Sequence, residues 1–180
     1  MTDGLKLTGA ERRQQLLAWL KESEAPLTGS ELAKRASVSR QVIVQDISLL
    51  KAKNEPIIAT SQGYVYLQSV LGKKQPVQRL IACDHEPEKT EEELNLIVDF
   101  GVTVKDVTIE HPVYGDLTAS IRVSTRKEVS DFVKKISSTN AAYLSQLTNG
   151  THLHTLEADD EEKIEQACDA LQKAGILIPE

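Results

Sequence analysis

A break in the hydrophobic pattern near the middle of the chain most constrains how these 180 residues can fold. Residues 68–76 close with the run Gly-Lys-Lys-Gln-Pro, which interrupts the periodic patterns on either side and indicates a linker. We therefore expect two domains, residues 1–67 and residues 77–180. With 40% hydrophobic and 27% charged residues, the composition is that of a globular chain that can form a core.

The two parts differ in charge. Residues 1–74 carry 11 Lys and Arg against 7 Asp and Glu, a net charge of +4, whereas residues 75–180 carry 10 against 20, a net charge of −10. A positive part suits a polyanion, and the acidic part is unsuited to lying along DNA. The sequence has no apolar run of the roughly 18 residues that a membrane helix needs, and its start lacks a signal peptide. We expect a cytoplasmic protein that binds no membrane.

The first part predicts a helix-turn-helix followed by a hairpin. Apolar spacing predicts three helices, over residues 9–22, 28–36 and 39–53. Thr28 and Glu31 fit a capping box at the second helix, and Ser39 can cap the third. Residues 57–67 place β-branched and aromatic residues about a Gly-containing turn, which is typical of a hairpin. A capped helix held on a short preceding helix by a tight turn has helix-turn-helix geometry.

One face of the third helix carries residue types that read DNA. It lies opposite the apolar stripe of Ile43, Ile47 and Leu50. Arg matches guanine, Gln matches adenine, and Val contacts a thymine methyl group, while the helix end and the hairpin tip suit phosphate or minor-groove contacts. The predicted DNA-binding residues are Ser39, Arg40, Gln41, Val44, Gln45, Ser48, Lys51, Thr60, Ser61 and Gln62. Such residues also occur on helix faces that contact only solvent, so that alternative stays open.

The stretch SELAKRASVSRQVIVQDISLLK, with Asp46 and the Gly63-Tyr64 pair, resembles the winged helix-turn-helix domains of bacterial transcription factors. The resemblance covers residues 9–67 and implies DNA binding without naming an operator sequence. A single module of this kind contacts one half-site, so we expect a homodimer on two half-sites.

The second part predicts an α+β fold. Four strands are expected over residues 77–83, 103–110, 117–123 and 150–157. Three helices are expected over residues 90–99, 125–138 and 159–174. This order favours one antiparallel or mixed sheet with helices on one face.

All four histidines lie in this second part, and three of them suggest a metal site. His152 and His154 are two residues apart on a strand and therefore share a face. His85 follows the first strand, and Glu93 on the next helix can add a carboxylate. Three imidazoles and one carboxylate suit one divalent transition metal, Zn, Ni, Fe or Mn, with two open positions if the ion is octahedral. Glu93 also fits a capping box with Thr90, which leaves its role open.

Three motifs resemble the three-histidine (3H) regulatory domain of niacin-responsive repressors of NAD biosynthesis and transport. They are Cys-Asp-His ending at His85, His-Pro-Val-Tyr-Gly at residues 111–115, and Gly-Thr-His-Leu-His at residues 150–154. The resemblance implies a metal on His85, Glu93, His152 and His154. It also implies a nicotinic acid corepressor and a homodimer that binds its operator DNA when loaded. His111 and Tyr114 belong to the motifs, and we predict them as ligand-binding residues.

Two other functions fit the same residues. A metal-dependent hydrolase with an accessory DNA-binding module would use the open metal positions to activate water, but the sequence offers no distinct general base beside the ligands. A metal-free interaction module would make the histidines incidental. We favour a non-enzymatic repressor.

Overall fold

The computed structural model describes residues 7–67 and 76–179. The chain divides into two compact units, Met1–Leu71 and Gly72–Glu180. The predicted linker, residues 68–76, lies outside the described residues except for Pro76.

The first unit contains three helices and a two-stranded hairpin. The elements are α1 (Gly9–Glu22), α2 (Gly29–Arg35), α3 (Arg40–Ala52), β1 (Ile57–Thr60) and β2 (Gly63–Tyr66). Their order is the predicted one, and the winged helix-turn-helix prediction is confirmed. The core consists of buried aliphatic side chains from all three helices and the first strand. These include Leu16, Leu20, Leu32, Ile43, Ile47, Leu50 and Ile57.

Of the two caps predicted in this unit, that of Ser39 forms as expected and that of Thr28 forms only in part. The Thr28 hydroxyl accepts a hydrogen bond from the backbone N–H of Glu31, and Ser39 accepts one from that of Val42. The predicted reciprocal bond of the capping box, from the Thr28 backbone N–H to the Glu31 carboxylate, does not form. The carboxylate instead lies 2.6 Å from an Arg35 nitrogen one helical turn away.

The hairpin is tied to the start of α2 through Leu27. The backbones of Leu27 and Tyr64 form two hydrogen bonds, of 2.8 and 3.0 Å. Gly63 lies in β2 rather than in the turn and has a φ of 141°. A Cβ atom at Gly63 would lie 2.6 Å from the Leu27 carbonyl oxygen, so this close approach requires glycine.

The second unit is one four-stranded sheet with three helices. Its elements are β3 (Val77–Asp84), α4 (Thr90–Val98), β4 (Thr103–His111), β5 (Gly115–Val123), α5 (Arg126–Thr139), β6 (Thr151–Ala158) and α6 (Glu161–Lys173). The strand order is β3-β6-β4-β5, and every pairing is antiparallel. The α+β fold class is confirmed, and of the two sheet types that the sequence left open the antiparallel one is observed.

Sheet and helices share a single core in this unit. Buried side chains of the sheet, including Ile81, Val104 and Leu156, pack with Ile97 of α4 and Ile164 of α6. Two short 3₁₀ helices, Pro87–Lys89 and Leu144–Thr148, were not predicted. Among the described residues, no helix has the length and apolar character needed to span a bilayer.

Candidate metal centre

Four predicted ligands from three parts of the second unit converge on one point. His85 follows β3, Glu93 lies on α4, and His152 and His154 lie on β6. The Glu93 carboxylate is at the centre: its oxygens lie 2.8 Å from His85 Nε2, 3.1 Å from His152 Nε2 and 3.4 Å from His154 Nε2. All four side chains are 1–3% exposed. The structure therefore brings together the residues that strand alternation and motif placed at one site.

Backbone geometry explains why these side chains meet. Inward-facing positions of β6 alternate, so His152 and His154 point to the core together with Leu156. Gly150, with a φ of 106°, comes just before this strand. A Cβ atom on Gly150 would lie 2.6 Å from the His85 carbonyl oxygen, so glycine lets the two segments approach.

The alternative role of Glu93 as a capping residue is wrong. Thr90 is the first residue of α4, its preceding cap residue is Lys89, and that cap has no side-chain hydrogen bond. Glu93 is 1% exposed and faces the histidines. A carboxylate at this position is buried because three imidazoles surround it.

Each imidazole is oriented by a backbone carbonyl. The Nδ1 atoms of His85, His152 and His154 lie 2.8, 2.7 and 2.7 Å from the carbonyl oxygens of Glu86, Gly150 and Asp106, respectively. A carbonyl oxygen accepts but cannot donate, so Nδ1 carries the proton in all three rings. In the neutral rings the Nε2 lone pairs then face the carboxylate, which is the arrangement of metal-binding histidines with their outer hydrogen bonds in place.

The geometry fits a divalent metal. His85 Nε2 and His154 Nε2 are buried and have no hydrogen-bond partner among the described residues, although both lie close to Glu93. Metal bonds of about 2.0–2.1 Å separate neighbouring ligand atoms by about 2.9–3.4 Å at octahedral or tetrahedral angles. The three observed separations between a Glu93 oxygen and a histidine nitrogen, 2.8–3.4 Å, are close to that range. A cation between these atoms would satisfy lone pairs that are otherwise buried against a negative charge.

Glu93 and the histidines of the cluster change one another's pKa values. Burial alone would raise the pKa of Glu93, but the positive charge of His154 and contacts with all three histidines hold it well below its usual value. Burial would lower the pKa values of His85 and His154, but the Glu93 carboxylate outweighs it and raises both. Without a metal, protons bound to the histidines therefore balance the negative charge of Glu93.

Cys83 is a neighbour of the cluster that the sequence did not suggest as a site residue. Its Sγ atom, a Glu93 oxygen and a His152 nitrogen all lie within 4.8 Å of one another. Burial, followed by the charge of Glu93, raises the pKa of this thiol, so it is protonated at neutral pH. In the sequence, Cys83 could have been suggested by its position two residues before His85. The structure places it on β3 opposite His152.

A cavity of about 210 Å³ adjoins the cluster. Glu93, His152 and His154 line one part of it, and Thr90, Tyr143 and Ser145 add other polar groups. The remaining lining is apolar and comprises Leu94, Val107, Ala119, Ile121, Phe132, Ile136, Ala142 and Leu144. The volume is below the roughly 300–1,000 Å³ of sites for drug-sized ligands, so it suits a smaller molecule such as a single substituted ring.

His111 and Tyr114 lie elsewhere, where β4 turns into β5. Their rings are 5.0 Å apart, and His111 Nδ1 accepts hydrogen bonds from the backbone N–H groups of Val113 and Tyr114. Tyr114 is 74% exposed, and neither residue lines the cavity. The structure thus does not bring these two predicted ligand-binding residues to the metal cluster.

In the first unit, the predicted DNA-binding face of α3 is open to solvent. Arg40, Gln41, Gln45, Ser48 and Lys51 are exposed and Val44 is half-buried. The Ser39 hydroxyl caps the helix, and the Ser48 hydroxyl donates to the Val44 carbonyl. At the half-buried hairpin tip, the Thr60 hydroxyl donates to the Gly63 carbonyl and accepts from Gln62 N–H, so it stabilises the turn. Ser61 and Gln62 lie in that turn.

Asp46, part of the motif in α3, has an internal role. It is 2% exposed and lies 2.6 Å from Arg12 Nε and 3.2 Å from an Arg13 nitrogen. These contacts fasten α1 to α3, so both arginines are held by Asp46 within the unit.

Comparison with known proteins agrees with both units. Residues 12–65 match a helix-turn-helix (HTH) domain model, and residues 78–180 match the 3H domain model. The chain is similar to the transcription repressor NadR of Bacillus subtilis, with 74% identity over 178 residues that cover 99% of each chain. It is also similar to the probable transcription repressor NiaR of Thermotoga maritima, with 43% identity over 98% of each chain. Both relatives are named as transcription repressors, which supports the prediction of a non-enzymatic regulator over the hydrolase alternative. The chain therefore belongs to the family of DNA-binding transcription repressors that join an HTH domain to a 3H domain.

Proposed function

We propose that the protein is a metal-dependent repressor that binds nicotinic acid as its corepressor and controls genes of NAD biosynthesis and niacin uptake. The observation that carries this proposal is the buried cluster of three imidazoles and one carboxylate beside a small apolar cavity. The three histidine motifs, which resemble those of niacin-responsive repressors, supply the identity of the effector.

One divalent transition metal would be held by His85, Glu93, His152 and His154. The cavity-facing members are Glu93, His152 and His154, whereas His85 does not line the cavity. An open metal position would therefore face the cavity. With three neutral imidazoles and one carboxylate, a divalent ion keeps a net charge of +1, which favours an anionic effector in so apolar a space.

Nicotinic acid suits this cavity because it is one ring with two polar groups. Its carboxylate or its pyridine nitrogen can occupy an open metal position, while Phe132 and the aliphatic walls enclose the ring. We favour this cavity over His111 and Tyr114 as the effector site, since those two residues are on a hairpin outside it.

The DNA-binding residues would be those on the outward face of α3, its cap residue and the half-buried hairpin tip: Ser39, Arg40, Gln41, Val44, Gln45, Ser48, Lys51, Thr60, Ser61 and Gln62. Residues 1–67 would form the DNA-binding domain, residues 77–180 the metal- and effector-binding domain, and residues 68–76 the linker. One module reads one half-site, so the active form would be a homodimer. A regulator of chromosomal genes acts in the bacterial cytoplasm, where we place the protein.

The test is a mobility-shift titration of candidate promoter DNA with the full-length protein. We expect tight binding only with both metal and nicotinate, and loss of binding after chelation. A nicotinate effect of tenfold on DNA affinity corresponds to a coupling of about 1.4 kcal/mol. DNA binding that is unchanged by nicotinate and by chelation would contradict the proposal.

His111 provides a matched control for this test. H154A removes an imidazole of the cluster, so it should lose both the metal and the nicotinate response. H111A removes an imidazole that is outside the cavity and should retain both. An H154A protein with full metal occupancy would remove His154 from the site, and loss of the response in H111A would restore His111 to it.

A further inference from the structure

The polar groups of the cavity wall fall into two sets. Glu93, His152 and His154 belong to the metal cluster, and their chemistry is accounted for by an ion. Thr90, Tyr143 and Ser145 are outside that cluster, although they line the same cavity. Of these three, Thr90 carries a buried side-chain oxygen that is left without a partner among the described residues. It is 7% exposed, and its Oγ1 atom is buried without a hydrogen-bond partner among residues 7–67 and 76–179. A buried hydroxyl without a partner is uncommon and calls for an explanation.

Helix capping does not explain this hydroxyl. Thr90 is the first residue of α4, after the cap position, and no side chain caps that helix. The other buried side-chain atoms without partners in the described chain are His85 Nε2, His154 Nε2 and Asn95 Oδ1. The two histidines are proposed metal ligands, and Asn95 does not line the cavity. Of the residues that carry these unpartnered atoms, His154 and Thr90 line the cavity.

The position of Thr90 relative to Glu93 suits an effector with two polar groups. The residues are three apart on α4, so they share one helix face with Cβ atoms about 5–6 Å apart. That separation is comparable with the span of one six-membered ring carrying a polar substituent. A molecule bound to the metal through one polar group would present its other polar group one helical turn away.

We propose that the Thr90 hydroxyl forms a hydrogen bond with the polar group of the effector that is not bound to the metal. This makes Thr90 a specificity-determining residue, because it selects small rings that carry a second donor or acceptor. A hydroxyl can donate and accept, so it serves either a carboxylate or a pyridine nitrogen. The inference rests on the proposed function, since it concerns the same cavity.

The test compares two variants by calorimetric titration of full-length protein loaded with one equivalent of Zn²⁺. T90V keeps the branched shape and removes the hydroxyl, and T90S keeps the hydroxyl. Metal content and melting temperature should equal those of the wild type in both. The affinity for nicotinate should fall about 3- to 10-fold in T90V, as for the loss of one neutral hydrogen bond, and stay within about twofold in T90S.

Two simpler probes separate a hydrogen bond from packing. Benzoate lacks the ring nitrogen, and pyridine lacks the carboxylate. The loss in T90V should vanish for the probe that lacks the group bonded to Thr90. A loss of equal size for nicotinate, benzoate and pyridine would overturn the inference, as would a T90V affinity for nicotinate within twofold of the wild type, or an equal loss in T90S.

Failure of the proposed function gives a different result. If the wild-type protein holds the metal but does not bind nicotinate, both the proposed effector and the role of Thr90 fall. If the wild type binds nicotinate and T90V binds it equally well, the effector stands and only the role of Thr90 falls.

Discussion

At the scale of single residues, Glu93 organises the second unit. Its buried carboxylate contacts three imidazoles, and each side of the contact changes the proton affinity of the other. A buried carboxylate without partners would carry a large desolvation cost, so the site depends on cations, either protonated histidines or a metal. The pH dependence of stability should therefore differ between the metal-free and metal-loaded protein.

We expect the melting temperature of the metal-free protein to decrease as the pH rises above about 6.5. The pKa values of His85 and His154 are raised in the folded state. Their contribution is fully present below the unfolded value of 6.5 and is lost as the pH rises through the folded values. Glu93, with a lowered pKa, contributes stability above its unfolded value of 4.5 that is lost as the pH falls through the folded value.

A bound metal should offset the loss of stability that the metal-free protein shows as the pH rises. Metal binding displaces the imidazole protons, so the gain in melting temperature from one equivalent of Zn²⁺ should grow as the pH rises from about 6 to about 8. Thermal melts of the two forms across this range measure the effect. A gain that is flat with pH would contradict imidazole ligation.

At the scale of elements, α3 presents two faces with different duties. Ile43, Asp46, Ile47 and Leu50 are buried against the rest of the first unit, while the opposite face is exposed. Substitutions on the two faces should therefore separate stability from DNA binding.

On the buried face, D46N should destabilise the first unit. The substitution removes the charge that holds Arg12 and Arg13, which are 15% and 24% exposed, and leaves them without their partner. We expect a loss of about 1–3 kcal/mol in the free energy of unfolding. Urea denaturation of the full chain measures it. D159N removes a carboxylate from an exposed i,i+4 pair with Lys163 in the second unit and is the control. It should change the free energy of unfolding little. An equal effect of both variants would argue against the contacts of Asp46 as the link between α1 and α3.

On the exposed face, R40A should lower operator affinity by about 1–3 kcal/mol if Arg40 reads a base. The melting temperature should stay unchanged, since the side chain is exposed. Mobility shifts on operator and unrelated DNA measure the two affinities, with R126A in the second unit as the arginine control. The same loss on both DNAs would instead make Arg40 a phosphate contact.

Sequence periodicity predicted the elements well because their apolar residues repeat at helix and strand spacing. Alternation also placed His152 and His154 on one face, as the structure confirms. The role of Glu93 could not be decided, because a capping carboxylate and a metal ligand occupy the same helical position. The cavity was not predicted either: Ala142, Tyr143 and Ser145 lie between α5 and β6, where no periodic pattern applies.

At the scale of the whole molecule, the proposed regulation is a coupling between effector binding and DNA binding. The opposite net charges of the two parts fit this division, with the acidic part as sensor and the basic part on DNA. A coupling free energy is reciprocal, so whatever nicotinate does to operator affinity, operator DNA must do to nicotinate affinity.

We therefore expect operator DNA to tighten nicotinate binding by the same factor by which nicotinate tightens DNA binding. Calorimetric titration of nicotinate into the metal-loaded protein, with and without operator DNA, measures the factor directly. Unrelated DNA of equal length is the control and should give a smaller change. Unequal factors in the two directions would show that a further equilibrium, such as dimer formation, has to be included.

The three backbone carbonyls that orient the imidazoles make ring orientation a property of the main chain. Replacing the side chains of Glu86 or Asp106 leaves these acceptors in place, so point substitutions there should alter the outer hydrogen bonds only by moving the backbone. Gly150 is the exception, because its carbonyl lies within hydrogen-bond distance of His152 Nδ1 and its positive φ sets the path of the chain into β6. An engineer seeking to retune the metal would have to reshape a turn or exchange a ligand, since the outer shell offers few side chains to edit.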